Sequence, residues 1–223
     1  ADQSETETLF LLQLAAENDF IKGVVGWVDL QADDIAVQLE NYRKFPKLKG
    51  FRHIVQAEED DCFMLRPKFM HGISLLQQFG FTYDILIYPK HLKYAAELVM
   101  HFPNQKFIVD HLAKPNIKEG KIEDWKREIK HLASFPNVYC KVSGLVTEAD
   151  WKGWKQDDFT SYLDVVTEAF GIDRLVYGSD WPVCLLAADY AQQLGIVQKH
   201  FETFSDGERA QLFGGNAQQF YNL

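Results

Sequence analysis

A chain of 223 residues, 47% hydrophobic and with a formal net charge of −9, is long enough to bury a sizeable core as one domain. The acidic balance excludes a nucleic-acid binder, which would need a basic stripe. No apolar run approaches the roughly 18 residues that span a bilayer, and the polar opening ADQSETET is not a secretory leader. Cys62, Cys140 and Cys184 lack zinc-finger spacing and read as reduced thiols of a cytoplasmic protein.

Ser4 and Glu7 form a capping box ahead of an amphipathic helix over 8–17. The stretch IKGVVGWVDL, 21–30, is rich in β-branched and aromatic residues and predicts a buried strand. Ile35, Leu39 and Tyr42 give helical spacing to 33–45, and 48–55 is a strand. A helix over 68–80 ends at Gly80. A strand over 82–89, a helix over 92–102 closed by Pro103 and a strand over 106–112 follow. Ile122, Trp125, Ile129 and Leu132 share one face of a helix over 121–135. A strand over 137–145, a helix over 159–171 closed by Gly171 and a strand over 173–180 come next. Helices over 188–201 and 205–213 and a short one after Asn216 finish the chain.

Strand and helix alternate with no linker or repeat between them, which implies a parallel sheet covered by helices. No GxGxxG and no P-loop follows any strand, so a nucleotide-binding open sheet loses support. Polar groups gather just past the strand ends: Arg52 and His53, Tyr88, Asp110 and His111, Lys141 and Ser143, Asp180 and Trp181. That placement favours an α/β fold of the (β/α)8 TIM-barrel class, whose site is assembled from strand ends at one mouth. Six predicted strands leave such a barrel without its first two β/α units, on the order of 60 residues. The whole of 1–223 then reads as a single, N-terminally incomplete barrel domain.

Five stretches carry a resemblance. GFRHIVQ (50–56), VDHLAKP (109–115), CKVSGL (140–145), YGSDWPV (177–183) and GGNAQQFY (214–221) occur in order, each on a predicted strand or helix. Together they resemble the amidohydrolase-2 family of TIM-barrel hydrolases, and within it the sugar-lactonase branch of L-fuconolactonase and L-rhamnono-lactonase type. The resemblance implies a distorted TIM barrel that normally opens with a His-x-His motif on its first strand. This sequence has no His-x-His, in keeping with absent first units. It also implies a carboxylic-ester hydrolase of carbohydrate metabolism that opens a lactone with an activated water. Two rivals remain: a metal-dependent decarboxylase of the same superfamily, and a non-catalytic barrel that has lost its site.

Asp180 matches the family's aspartate at the end of the last strand, where a carboxylate takes a proton from an attacking water or ligates a divalent metal. Taken alone it would read as a helix cap. His111 matches the family's DH position, as a metal ligand or a donor to the lactone carbonyl. Asp180, His111 and His53 are the candidate catalytic residues. Asp180 and His111 are the candidate ligands of a zinc-like divalent ion, and no nucleotide or organic cofactor is expected.

Arg52 and His53 are adjacent, so only one can face a barrel lumen, and His53 is favoured. Arg52 either forks onto a substrate oxygen or holds a loop in a salt bridge. Asp110 should point away from His111 along the strand and serve structure. Lys114 and Lys141 are candidate readers of hydroxyls or a carboxylate, since a mid-strand lysine such as Lys141 is costly to bury unpaired. Trp181 would wall the pocket. Tyr88 and His91 flank Pro89 as substrate contacts, with a helix start as the other reading of His91. His71, His101, His131 and His200 fall on helices and carry no expected role. The expected partner is a small molecule, not nucleic acid or membrane, with a homodimer left open.

Overall fold

Strands and helices alternate along the chain as the apolar pattern requires. The computed structural model describes residues 2–223. Strands β1 (Val24–Gly26), β2 (Leu48–His53), β3 (Thr82–Ile85), β4 (Phe107–Val109), β5 (Val138–Val142) and β6 (Leu175–Tyr177) form one six-stranded sheet in sequence order. Every neighbouring pair is parallel. Helix α1 (Glu5–Glu17) precedes β1, and α2 (Ile35–Tyr42), α3 (Pro67–Phe79), α4 (Leu92–His101), α5 (Glu123–Ala133) and α6 (Asp157–Phe170) fill the crossovers. Beyond β6 come α7 (Tyr190–His200), α8 (Asp206–Ala210), a π-helical turn over Gln211–Gly215, and α9 (Asn216–Tyr221).

The sheet curls into part of a barrel. Val24 and Val25 of β1 line the same cavity as Val176 and Tyr177 of β6, so the two edge strands face each other across it. On the convex side, Phe51, Tyr83, Phe107 and Val138 pack with Leu39, Leu76, Val99, Ile129 and Val166 of the helices in the main core. A small second cluster of Ile108, Val176 and Phe220, joined by Tyr139, Ala217 and Tyr221, occupies the concave side, where α9 acts as a plug. Both faces of the strands are therefore covered, which is why they read as continuous apolar runs. At the β1 edge a hydroxyl replaces a strand partner: Thr8 Oγ1 of α1 accepts from the Trp27 amide and donates to the Trp27 carbonyl, both at 2.8 Å. Arg174 ties the helical layer to β5 through the carbonyls of Phe170, Ala133, Phe135 and Val138.

The elements appear where the sequence predicts them, with different limits. Ser4 caps α1 by accepting from the Glu7 amide at 3.2 Å, and the Glu7 carboxylate accepts from the amide of Asp2. The strands are shorter than their apolar runs: 21–30 yields three residues of ladder and 173–180 also three. The chain leaves the sheet before the apolar run ends at β1 and β3, where Val28, Leu86 and Ile87 are buried beyond the last paired residue. The predicted helix over 205–213 is divided by the π-helical turn, which redirects α9 into the concave face.

Candidate active site

The carboxyl ends of β4, β5 and β6 place the central groups. After Val109 the chain leaves the strand at Asp110 and makes a left-handed turn, with φ of 54°, 54°, 58° and 53° at His111, Leu112, Ala113 and Lys114. The turn is fastened by Trp125 Nε1, which donates to the Leu112 carbonyl at 2.7 Å, and by the Lys114 amide, which donates to the His111 carbonyl at 2.7 Å. His111 Nδ1 lies 2.7 Å from the hydroxyl of Ser143, just past β5. Gly144 makes room for the ring, since a Cβ there would sit 2.8 Å from His111 Cβ.

Asp180, three residues past β6, also has positive φ, at 55°. Its Oδ1 stands 3.6 Å from His111 Nε2. That is too long for a direct hydrogen bond, so both groups can reach a third atom between them. Burial pushes the His111 pKa down to about 4 and that of Asp180 up to about 6, with Lys114 opposing the rise. At neutral pH the pair is therefore a neutral imidazole beside a carboxylate. Both line a cavity of about 530 Å³ together with Arg52, Lys141, Ser143 and Trp181.

Beneath that cavity lies a buried charge cluster. Arg52 Nη1 pairs with Asp110 Oδ2 at 2.9 Å. Lys141 Nζ pairs with Asp110 Oδ1 at 2.7 Å and also with Asp84 Oδ2. Tyr221 of α9 donates its hydroxyl to Asp84 Oδ2 at 2.8 Å. Burial opposes every charge in the cluster and raises the Asp84 carboxyl above its ordinary range against the pull of Lys141, while Lys141 and Arg52 hold the Asp110 carboxyl well below it. Asp110 and Asp84 in turn hold the Lys141 ammonium well above its own. At the mouth, Lys114 Nζ lies 3.8 Å from Glu148 Oε1 and 5.6 Å from the centre of the Tyr88 ring. Trp181 is 63% exposed, so it borders the opening rather than sealing it.

The sequence-derived candidates thus divide. Asp180, His111, Arg52, Lys141 and Trp181 share the cavity, while Lys114 and Tyr88 contact each other outside its lining, with Lys114 near enough to act on Asp180. Of the adjacent pair on β2, Arg52 and not His53 faces the cavity. His53 lies among the residues packed outside the sheet, its ring stacked on Phe63 at 4.6 Å. Its Nδ1 accepts from Trp27 Nε1 at 3.2 Å and its Nε2 meets Glu58 at 2.7 Å, so both ring nitrogens are engaged. His91 is fully buried at a helix start, where its Nδ1 accepts from the Tyr88 amide at 3.1 Å. Asp110 does not point away from His111 as expected. Alternation carries on through Ile108, Val109 and Asp110, and the left-handed turn that starts at His111 brings its side chain to the same side as Asp110.

Asp84, Glu148 and Tyr221 escape the sequence reading, and Ser143 is noticed there without a role. Asp84 carries the signal that marks Lys141, a charge inside an apolar strand, and the two prove to be partners. A hydrolytic zinc site commonly uses three protein ligands. His111 and Asp180 converge as two donors, and no group of three His, Cys, Asp or Glu is assembled among the described residues. The described residues therefore fall one donor short of a zinc site.

Comparison with known proteins places this arrangement. The chain is 39% identical to an L-fucono-1,5-lactonase of Burkholderia multivorans over 97% of its own length and 77% of that protein. It is 35% identical to an L-fucono-1,5-lactonase of Burkholderia ambifaria over 99% of its length and 77% of that protein. A crystal structure of an amidohydrolase from Burkholderia multivorans with bound zinc superposes with a TM-score of 0.95 at 38% identity, covering all of this chain and 81% of that one. The family profile described as amidohydrolase matches residues 1–223, and with these relatives it shows that the chain belongs to the amidohydrolase family.

Proposed function

We propose that the protein hydrolyses a sugar lactone, a cyclic carboxylic ester, at the cavity between His111 and Asp180. The observation that carries the reading is a largely buried carboxylate and a neutral imidazole 3.6 Å apart on the wall of a cavity, in a chain 39% identical to an L-fucono-1,5-lactonase. Asp180 accepts a proton from water as the water oxygen bonds to the lactone carbonyl carbon. In the tautomer this role needs, the Ser143 hydroxyl donates to His111 Nδ1 and the imidazole proton sits on Nε2, where it stabilises the oxyanion. As the tetrahedral intermediate collapses, the ring C–O bond breaks. The departing oxygen takes the proton held by Asp180, and an open-chain hydroxy acid remains.

Arg52 and Lys141 line the cavity wall and supply N–H donors to ring hydroxyls, while Trp181 borders its entrance. A divalent ion such as zinc would need at least one ligand beyond His111 and Asp180. No helix among the described residues is long and apolar enough to cross a membrane. The test is acid release on incubation with L-fucono-1,5-lactone and related aldonolactones, followed with a pH indicator. Turnover above the spontaneous rate that disappears in Asp180→Asn supports the reading, and opening no faster than in buffer refutes it.

A further inference from the structure

The cavity that faces the lactone holds two strong cations, Arg52 and Lys141, which taken alone would suit an anionic substrate. Their partners say otherwise. Arg52 is matched by Asp110 at 2.9 Å, and Lys141 by Asp110 at 2.7 Å and by Asp84. Asp84 and Asp110 are completely buried, so water does not screen these pairs. The cluster is short of donors rather than acceptors, because Asp84 Oδ1 is buried without a hydrogen-bond partner among the described residues. At the mouth, Lys114 is set against Glu148 at 3.8 Å, and Asp180 adds a further acid. Lys49 also lines the cavity, but it sits three residues back along β2, about 10 Å away, where it donates to the Asn222 carbonyl at 2.8 Å.

We infer that Asp84 and Asp110 are specificity-determining residues that cancel the charge of Arg52 and Lys141, so that the site selects neutral polyhydroxylated lactones and rejects lactones bearing carboxylates. This rests on the lactonase reading and adds the basis of its selectivity. Arg52 and Lys141 then act as hydrogen-bond donors of fixed position rather than as anion traps. The same balance acts on the product: ring opening creates a carboxylate beside Asp180, over a pair of cations already matched by Asp84 and Asp110, which favours release.

The test is calorimetric binding of two probes to the intact protein: an aldonolactam, the slowly hydrolysed amide counterpart of a sugar lactone, and 2-pyrone-4,6-dicarboxylate. The expected result is that the dicarboxylate binds at least tenfold more weakly than the lactam, and that Asp84→Asn narrows the gap at least tenfold. A dicarboxylate that binds as tightly as the lactam overturns the inference, as does a folded Asp84→Asn protein with an unchanged ratio. If that variant does not fold, the ratio measured on the unmodified protein still decides. A lactam that binds to a protein with no lactone turnover would refute the lactonase reading while leaving the selectivity measured.

Discussion

Replacing Gly144 with alanine tests the geometry on which the His111–Asp180 pair depends. Gly144 has φ of +64°, where an L side chain costs about 1–2 kcal/mol. Its Cβ would also lie 2.8 Å from His111 Cβ and 2.9 Å from Cγ. Carbon atoms rest at about 3.5–4.0 Å, so the ring must retreat by about 1 Å. It cannot retreat freely, because His111 is itself held at φ 54° and bonded to Ser143 at 2.7 Å. A misplacement of about 1 Å costs on the order of a hundredfold in rate. Gly120 provides the control, with the same φ of +64° and nothing within 4 Å of a built Cβ. Gly120→Ala is expected to lower the melting temperature by about 2–8 °C and to leave kcat unchanged. Gly144→Ala is expected to lose at least as much stability and about a hundredfold in kcat/KM on L-fucono-1,5-lactone. A Gly144→Ala enzyme within about threefold of the parent kcat/KM would refute the argument that this glycine positions the histidine.

Other outcomes follow from the same geometry. Asp180, pushed up to about 6 by burial, must be ionised to act as base. The rate should therefore be level above that pH and fall about tenfold per unit below it; a profile flat from pH 7 to pH 5 would remove Asp180 from that role. Asp180→Asn should lower kcat by about a hundredfold to ten-thousandfold, read in the same assay. Tyr221→Phe removes one donor to the buried Asp84 carboxylate and should cost about 1–3 kcal/mol in urea unfolding. His53→Asn breaks contacts to Trp27 and Glu58 outside the cavity, so stability should fall while kcat changes less than about threefold.

The order of strands and helices was legible because burial on both faces of a parallel sheet leaves continuous apolar runs. Their lengths were not, because an apolar run marks burial and not hydrogen bonding. Residues 82–89 are largely buried, yet only Thr82–Ile85 pair in the sheet. Asp180, His111 and Lys141 could be picked out because charged groups past or within an apolar strand need a reason to be there. The choice between Arg52 and His53 failed on a different point. Alternation says that one of two neighbours faces inward, but only the packing of Phe63, Trp27 and Glu58 around His53 decides which. Asp84 and Tyr221 are 137 residues apart, and no local pattern announces such a pairing.

The left-handed turn at His111–Lys114 is the backbone feature least expected from the sequence, for none of its four residues is glycine. An L residue in this conformation costs about 1–2 kcal/mol, so the turn draws several kcal/mol from a total stability of about 5–15 kcal/mol. Its side chains show what is gained. Leu112 and Ala113 are fully buried, while His111 enters the cavity and Lys114 turns to Glu148 and Tyr88. An extended continuation of β4 would send alternate residues to opposite faces and separate His111 from the Asp110 cluster. Ala113→Gly measures the strain. Glycine relieves about 1–2 kcal/mol there, against about 0.8 kcal/mol for the lost methyl group and about 0.4–1 kcal/mol for the freer unfolded chain. The net change should be near zero. Ala95, equally buried inside α4, has no strain to relieve, and Ala95→Gly should cost about 2 kcal/mol from helix propensity and methyl burial together. Urea unfolding of the two variants gives the comparison. If Ala113→Gly destabilises as much as Ala95→Gly, the turn is not strained, and its conformation has to be explained by packing alone.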